Sequence, residues 1–318
     1  MEDNRSPLGL LTVPNPGGSS FSPADGRKPA KTIDEMMDIL RERGLIVTDG
    51  QRLRTMLLDD NYYRLSGYFR AFQKDPAGGD DRFVPGTCDE DFLIPYSLDT
   101  RLRGLLLDGI SRLEVTIRSR FAYYVAVHGG AYSYLEPGSY VEKKNRHGQM
   151  LRDGLVRDIS WWLSQSSEVC IRHYRGQRRD IPIWAVVETL PFGVISKMIS
   201  LYRDTAVLQE LYKSLGLNAG NARNAQILHA IVYLRNLCSH HSRLWNREMV
   251  VSPTVTNRMK ERFPDFRYKN KSVASIVVVV MFLMEAVTGD DSYTRRMTAF
   301  LEEDTAYAQG IRRPLIWR

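Results

Sequence analysis

The sequence predicts an all-α protein, and three observations support this fold class. Apolar residues recur at steps of three and four over long stretches, which is the period of an amphipathic helix. The chain contains no series of alternating apolar and polar residues of the kind expected for strands, and no internal repeat. Its 318 residues, 43% hydrophobic and 25% charged, are enough to bury a core without disulfides or structural metals.

The N-terminal part divides into a tail and a helical region. Residues 1–30 contain five Pro, four Gly and four Ser without an apolar period, so we expect a flexible tail. Thr32 and Glu35 have the types and spacing of a capping box, which predicts a helix from Thr32 to about Arg43. Gly44 suits the end of that helix.

Two further short helices complete a predicted N-terminal helical region over residues 31–95. One follows Thr48 or Asp49, and the next covers roughly residues 62–73. The residues at 75–80 are of loop-forming types and predict a turn after the third helix.

Residues 96–318 are predicted to form a helical domain. Its first helix has an apolar stripe from Leu98 to Tyr124, which predicts about 28 residues ending at Gly129 and Gly130. Later core helices are expected at three places: Trp161–Trp162, Trp184–Leu190 and Val273–Val287. The last of these contains four consecutive valines but is too long for a strand, so it predicts a buried helix.

Cysteine spacing and the lengths of apolar runs exclude several classes of protein. The three cysteines lie far apart, which argues against a disulfide scaffold or a zinc ribbon and suits a reducing compartment. Leu8–Val13 is too short for a signal peptide. Val273–Met284 is too short to span a bilayer, which takes about 20 residues. We therefore expect a soluble, cytoplasmic protein without membrane contact.

Most of the net charge of +7 lies in one segment. Residues 143–179 contain nine Lys or Arg and three acidic residues, with aromatic residues between them. Basic side chains neutralise phosphates and aromatic faces stack on unpaired bases, so this composition fits a polyanion surface. Lys143, Lys144 and Arg146 are candidate RNA-binding residues, and a solvated surface loop is the alternative interpretation.

The stretch Ile227–Arg247 carries most of the functional information. Pro and Gly are absent from Asn221 to Val251, which allows one continuous helix. On such a helix one side is an apolar stripe of Ile227, Ile231, Leu234, Cys238 and Trp245. The opposite face carries Arg235, Asn236, Ser239, His240, Arg243, Asn246 and Arg247, and His241 turns back towards the stripe.

This polar face has residue types that phosphodiester chemistry requires. Histidine as a residue type changes its charge near neutral pH, which suits the side chain of His240 to moving a proton to or from a ribose hydroxyl or a leaving oxygen. Arg235 stays charged and is suited to stabilising an anionic transition state through paired hydrogen bonds. Neither role requires a metal. The alternatives are an ordinary polar helix surface and a metal site of Cys238, His240 and His241, which lacks a carboxylate ligand nearby.

Several blocks of sequence resemble one protein family. Residues 235–240, Arg-Asn-Leu-Cys-Ser-His, match the R-N-x-x-x-H form of the motif that marks HEPN ribonucleases. Residues 61–69, Asn-Tyr-Tyr-Arg-Leu-Ser-Gly-Tyr-Phe, resemble a signature of Abi-like abortive infection proteins of the AbiD/AbiF type. Further blocks resemble that family in the same order, namely 43–46, 110–118, 192–196 and 235–247. The likeness covers roughly residues 32–287.

The resemblance implies an all-α, HEPN-like helical bundle with an N-terminal helical extension. It also implies a metal-independent RNA endonuclease that bacteria use as an anti-phage or toxin–antitoxin effector, with a small non-coding RNA as antitoxin partner. The catalytic roles fall to Arg235 and His240, and Asn236 is the polar neighbour that positions them. No cofactor is expected. Because this chain has one such motif and HEPN sites are usually composite, we expect a homodimer to supply the second copy.

Other residues of these blocks are expected to support the site. Glu114 and Arg118 are an i,i+4 pair of the favoured polarity, either a structural salt bridge or a buried pair that orients the motif helix. His241 and Arg243 are supporting residues next to the motif. In the block at 61–69 and just beyond it, Arg64 and Arg70 are possible RNA contacts. The apolar residues of that block are expected to pack in the core: Tyr62, Tyr63, Leu65, Tyr68 and Phe69.

Two other functions are compatible with the same residues. One is a non-catalytic RNA-binding module, in which the polar face only binds phosphate. The other is a structural or partner-docking helical protein, for which RNA binding would be negligible or independent of salt. Metal-free cleavage of RNA that depends on Arg235 separates the enzyme from both.

Overall fold

A computed structural model of the chain describes residues 29–315, so nearly all of the predicted tail lies outside the described residues. Helix makes up 65% of the described residues, which confirms the all-α class. The helices are α1 (Ile33–Glu42), α2 (Gly50–Asp59), α3 (Tyr62–Phe69), α4 (Glu90–Gly129), α5 (Leu151–Gln165), α6 (Val169–Gly176), α7 (Ile183–Thr189), α8 (Phe192–Leu201), α9 (Thr205–Ser214), α10 (Asn221–Ser239), α11 (Asn257–Arg262), α12 (Val273–Thr288), α13 (Ser292–Glu302) and α14 (Thr305–Arg312).

The first helix begins and ends as its sequence predicts. Thr32 accepts a hydrogen bond from the backbone N–H of Glu35, and the Glu35 carboxylate accepts one from the backbone N–H of Thr32. At the other end Gly44 has a φ of 91°, and the N–H of Leu45 donates to the carbonyl of Leu40. This is a Schellman motif, in which glycine occupies the left-handed position without strain.

The region after α3 differs from the prediction. α3 ends at Phe69, and a 3-10 turn leads into strand β1 (Gln73–Asp75). β1 pairs in antiparallel fashion with β2 (Asp80–Phe83), with Gln73 opposite Phe83. The predicted loop at 75–80 is therefore the turn of a small hairpin, whose strands of three and four residues are too short to show an alternating pattern in the sequence.

α4 is longer than predicted. It has 40 residues, begins at Glu90 rather than near Leu98, and ends at Gly129 as expected. Pro95 lies within its early turns and removes one backbone hydrogen bond. Phe92 and Leu93 are fully buried beside it, and their burial stabilises these turns in spite of the proline.

The core of the bundle is built around α12. Every residue from Val273 to Met284 is buried, as predicted for this run. Because a helix that is apolar all round requires neighbours on every side, α4, α10, α13 and α14 pack against it. α8 packs along α10 on the other side. This arrangement holds α4 and α10 next to each other.

Two tryptophans predicted to mark core helices lie at the surface. Trp161 on α5 is 55% exposed, and Trp184 on α7 is 54% exposed. The helices themselves are present, but α5 is anchored by Leu155 and Ile159 instead. No helix within residues 29–315 combines the length and the apolar character needed to cross a bilayer.

Trp245 is buried, as expected, although it does not lie on a helix. Its indole stacks between Tyr68 and Phe72, with ring centroids 6.4 and 6.0 Å away. A Cβ at Gly310 would collide with the indole nitrogen, so the chain comes close to the ring there.

Replacing Trp245 by Ala is predicted to lower the free energy of unfolding by about 3–5 kcal/mol, since a large buried side chain is removed. Urea unfolding followed by circular dichroism measures this change. Trp184→Ala is the matched control and should lower stability clearly less than Trp245→Ala, because about half of that indole is already exposed. Equal effects of the two substitutions would contradict the packing described for Trp245.

Candidate functional site

The motif helix ends sooner than the sequence allows. α10 stops at Ser239, His240 is its C-cap, and the chain does not continue as a helix to Val251. The N–H of Ser242 donates to the carbonyl of Leu237 at 2.8 Å, and the N–H of His241 donates to that of Cys238 at 3.1 Å. These two bonds define a Schellman motif like the one at the end of α1, and they terminate the helix.

His241 occupies the left-handed position of this motif, with a φ of 52°. Glycine is the usual residue there, and a side chain with a Cβ costs roughly 1–2 kcal/mol. A continuous helix would turn the side chain of His241 back towards the apolar stripe. In the structure this side chain is exposed, so that prediction is wrong. A strained position that carries an imidazole next to the motif is the kind of feature that marks functional sites.

Arg235, Asn236 and His240 share the exposed C-terminal end of α10. The side chain of Arg235 is 40% exposed, and its Nη1 donates to Oδ1 of Asn236 at 3.3 Å. Asn236 and His240 are exposed. The opposite side of the helix is buried at Ile227, Ile231, Leu234 and Cys238, as the apolar period predicts.

Glu114 connects α4 to the motif arginine. Its Oε2 lies 3.6 Å from Nε of Arg235, and its Oε1 accepts a hydrogen bond from Nη2 of Arg118. Arg118 also donates to the carbonyls of Val187, at 2.6 Å, and Leu190. Glu114 and Arg118 are only 15% and 12% exposed. Glu114 and Arg118 therefore form a salt bridge that Arg118 ties to α7. The Glu114 carboxylate of this salt bridge also pairs with the guanidinium of Arg235.

A buried carboxylate on α4 organises the loop that follows α10. Asp99 is fully buried, and its oxygens accept hydrogen bonds from Tyr68 at 2.7 Å and Tyr307 at 2.6 Å. They also accept the backbone N–H groups of Leu244 at 2.7 Å and Trp245 at 3.0 Å. One side chain thus joins α3, α4, α14 and the loop after the motif.

The charge states of this cluster follow from its burial. Burial raises the pKa of Asp99, while the hydrogen bonds from Tyr307, Tyr68 and the two backbone N–H groups act in the opposite direction. Burial and the Asp99 charge raise the pKa of Tyr68 and of Tyr307, so both phenols keep the protons that they donate. Burial also raises the pKa of the Cys238 thiol to about 12, which leaves it protonated at neutral pH.

α3 contacts the same loop from the other side. Nη1 of Arg64 donates to the carbonyl of His241 at 2.5 Å. A Cβ at Gly67 would lie 3.4 Å from Nε of Arg243, so the Arg243 side chain passes over this glycine. Arg64 thereby supports the strained residue of the helix cap and remains exposed.

Arg243 and Asn246 do not lie on the polar helix face predicted for them. Because the helix ends at Ser239, Arg243 turns inward and its Nη1 donates to the carbonyls of Trp245 at 2.8 Å and Asn246 at 3.1 Å. Burial lowers the pKa of Arg243, although a guanidinium stays charged at neutral pH. Asn246 is 5% exposed. Arg243 and Asn246 therefore stabilise the loop by contacts inside it and do not lie on an exposed helix face.

The basic residues Lys143, Lys144 and Arg146 lie far from the motif. They are exposed on a loop that begins where Val141 donates to the carbonyl of Leu201, at the C-terminal end of α8. α8 runs antiparallel to α10, because Gly193 lies beside Val232 and a groove of about 460 Å³ is lined by Ser200 and Ala222. The point where the loop begins is therefore near the start of α10, and α10 is about 27 Å long.

The sequence pattern does not assign four residues that the structure brings to this site: Asp99, Tyr68, Tyr307 and Arg103. Arg103 is 5% exposed, lies 3.8 Å from Asp99 and donates to the carbonyl of Ser242 at 3.4 Å. One signal was present in the sequence. On a helical wheel Asp99 falls about 20° from Leu106, so a carboxylate lies on an apolar stripe, where it requires several buried donors.

The arrangement offers a cationic guanidinium, an imidazole and a carboxamide on one accessible surface. A guanidinium forms paired hydrogen bonds with phosphate oxygens, and an imidazole transfers protons near neutral pH. Within residues 29–315, His, Cys, Asp and Glu side chains do not gather in groups of three or more suited to a metal ion. The chemistry available to these residues is proton transfer and charge stabilisation at an anionic group.

Comparison with known proteins identifies the family. The model of the Abi-like protein family matches residues 55–246, which is more than half of the chain. The chain therefore belongs to the Abi-like protein family, and this membership associates it with abortive infection, a form of defence against phage. No curated protein and no solved structure matches it significantly.

Asp99→Asn is predicted to lower the free energy of unfolding by about 3–5 kcal/mol, because the amide NH₂ group then faces donors that have lost their acceptor. Urea unfolding measures the loss. The matched control is Asp108→Asn on the same helix, where an exposed ion pair with Arg296 should contribute no more than about 1 kcal/mol. Unchanged stability of Asp99→Asn would contradict the role of this carboxylate.

Proposed function

We propose that this chain is a metal-independent RNA endonuclease that acts as an effector of abortive infection. The observation that carries the proposal is the exposed end of α10, where Arg235, held by Glu114, and His240, at the helix cap, share one surface. Membership of the Abi-like family supports the defence role. A HEPN-type site and a toxin–antitoxin arrangement with a small non-coding RNA are parts of the same proposal.

The proposed reaction begins with attack of a ribose 2′-hydroxyl on the adjacent phosphate. His240 transfers a proton, and Arg235 stabilises the charge that develops on the phosphate oxygens. Glu114 fixes the Nε side of the guanidinium, and Asn236 contacts Nη1, so that Arg235 loses little freedom when the phosphate binds. The products are a 2′,3′-cyclic phosphate and a 5′-hydroxyl.

A second copy of the motif completes the proposed site. In-line displacement requires one group that takes the proton of the nucleophile and another, across the phosphate, that protonates the leaving oxygen. Side chains at one helix end reach one side of the phosphate only. A twofold homodimer with the two α10 ends facing each other would supply both sides, and twofold dimers are the commonest symmetric assembly.

The basic loop extends the proposed RNA surface. Lys143, Lys144 and Arg146 follow an anchor at the C-terminal end of α8, near the start of α10. RNA that reached both this loop and the motif would follow α10 over its length of about 27 Å, which several nucleotides of extended RNA would cover. We assign these residues to sequence-independent phosphate contacts, which contribute affinity and salt dependence. The same surface suits the small non-coding RNA that we propose as antitoxin.

Arg235→Ala and His240→Ala are each predicted to abolish cleavage of RNA by purified protein in the presence of EDTA, and to abolish toxicity on expression. Both side chains are accessible and lie off the buried stripe, so the melting temperature should stay close to that of the parent. Matched controls are Arg295→Ala on α13 and His128→Ala at the end of α4, which should retain cleavage. Cleavage that persists in Arg235→Ala would favour a nuclease site elsewhere, and RNA binding without any cleavage by the parent would favour a non-catalytic module.

The variant His241→Gly tests which of the two neighbouring histidines, His240 or His241, transfers the proton, since both satisfy the motif spacing. Glycine removes the imidazole and also relieves the left-handed strain, so this variant should be at least as stable as the parent. Retained cleavage in His241→Gly assigns the proton transfer to His240. Loss of cleavage in His241→Gly, with retention in His240→Ala, would reverse that assignment.

The composite site predicts that a heterodimer of one parent chain and one Arg235→Ala chain loses activity. Two differently tagged chains are co-expressed, and the mixed dimer is isolated by sequential affinity purification. Its RNA cleavage per parent chain should fall at least about tenfold below that of the parent dimer, since loss of one charged contact costs that much or more. Full activity per parent chain, or cleavage by a protein that stays monomeric with and without RNA, would contradict the composite model.

A further inference from the structure

One face of α3 lies against the loop that follows the motif. Arg64 donates to the carbonyl of His241, and Gly67 lies under the side chain of Arg243. Residues three and four apart share a helix face, so Tyr63 lies on the same face as Gly67, one turn closer to the start of α3. Tyr63 thus borders the surface that carries the motif.

Tyr63 is the exposed aromatic residue of this helix. Its exposure is 76%, whereas Leu65, Tyr68 and Phe69 are buried, so the prediction that Tyr63 packs in the core is wrong. The contacts that fix α3, from Tyr68 to Asp99 and from Arg64 to His241, do not involve its ring. The fold therefore does not require an aromatic side chain at this position.

The position of the ring is nevertheless defined. Tyr62 packs against it edge to face, with centroids 6.0 Å apart and planes at 87°, and the Tyr62 hydroxyl accepts a hydrogen bond from Arg43. The side chain of Asn61 accepts the backbone N–H of Tyr63 at 2.9 Å, and Asn61 itself has a φ of 71°. The start of α3 is thus held in a strained, fixed geometry, which limits the freedom of the ring.

The surroundings of the ring are cationic. Arg64 follows it in the chain, and two more guanidinium groups, those of Arg243 and Arg235, lie on the adjoining loop and helix end. Asp60, the nearest preceding acid, is engaged by the hydroxyl of Tyr96. An open, oriented aromatic ring beside cationic groups is the combination that binds unpaired nucleotides, because bases stack on the ring while phosphates meet the charges.

We propose that Tyr63 is a stacking platform for an unpaired base of the RNA next to the phosphate held by Arg235. This proposal rests on the proposed function and specifies its substrate class, namely single-stranded RNA read without strong sequence preference. A base that is paired in a duplex has both faces covered by its neighbours, so a duplex does not use this platform.

The test measures affinity with a probe that is not cleaved. The probe is a 12-nucleotide 2′-O-methyl RNA of mixed sequence, used as a single strand and annealed to its complement. Tyr63→Ala should weaken binding of the single strand about 5-fold to 150-fold, the range found for loss of one stacked base. Tyr63→Phe should restore affinity to within about twofold, because the ring that stacks is kept.

Two controls isolate the stacking contact. Tyr123→Ala removes a tyrosine that is 62% exposed and also stands edge to face with its neighbour, Tyr124, but lies on α4 away from the motif. It should leave affinity unchanged. The salt dependence of binding should have the same slope in Tyr63→Ala as in the parent, since no charge is removed.

Three results would overturn the stacking proposal. They are unchanged single-strand affinity in Tyr63→Ala, an equal loss for single strand and duplex, and failure of Tyr63→Phe to restore affinity. In each of these results the parent still binds RNA, so the proposed nuclease function stands. If the parent bound neither the single strand nor the duplex, the proposed function would be overturned as well.

Discussion

The carboxylate of Asp99 is the constraint on which the candidate site depends. It is fully buried in the longest helix, and four donors from three other parts of the chain converge on it. A buried carboxylate is costly unless every lone pair finds a donor. The loop at 244–245, α3 and α14 therefore have one arrangement that satisfies it, and that arrangement fixes where the chain goes after the motif helix.

From this constraint the geometry of the motif follows. α10 must end early enough for the chain to reach Asp99, and the helix cap at His240 and His241 is where it turns. The cap uses a histidine where glycine would be unstrained, and Arg64 from α3 binds the carbonyl of that residue. On the other side Glu114 holds Arg235. Two positions on α4 thus serve different purposes, with Asp99 positioning the loop and Glu114 positioning the arginine.

Much of the fold follows from periodicity alone. The capping box of α1, the buried run of α12 and the apolar side of α10 depend on local sequence and on a regular apolar period, and the structure has all three. The early end of α10 could not be predicted in this way. Neither Pro nor Gly marks it, since a histidine takes the left-handed position of the cap. The loop after the cap is held by Asp99, which accepts the backbone N–H groups of Leu244 and Trp245 from about 145 residues away in sequence.

The candidate residues of the site also fall into two groups, those that the helical period places correctly and those that it does not. Arg235 and Asn236 lie in the last turns of the helix and His240 is its C-cap, so the helical period still relates the three. Arg243 and Asn246 come after the end of the helix, so the helical period places them on the exposed polar face although both turn inward in the structure. The exposure of Tyr63 depends on which face of α3 meets the hairpin and α4, and that is a tertiary property.

In the proposed reaction Arg235 and His240 cleave RNA through the 2′-hydroxyl without a metal. The most direct measurement is the analysis of product ends after incubation of purified protein with RNA in EDTA. Attack by the 2′-hydroxyl should leave a 5′-hydroxyl and a 2′,3′-cyclic phosphate, and cleavage should be absent where a single 2′-deoxynucleotide replaces the nucleotide before the cut. Products with a 5′-phosphate and a 3′-hydroxyl, or cleavage that requires a divalent cation, would contradict it.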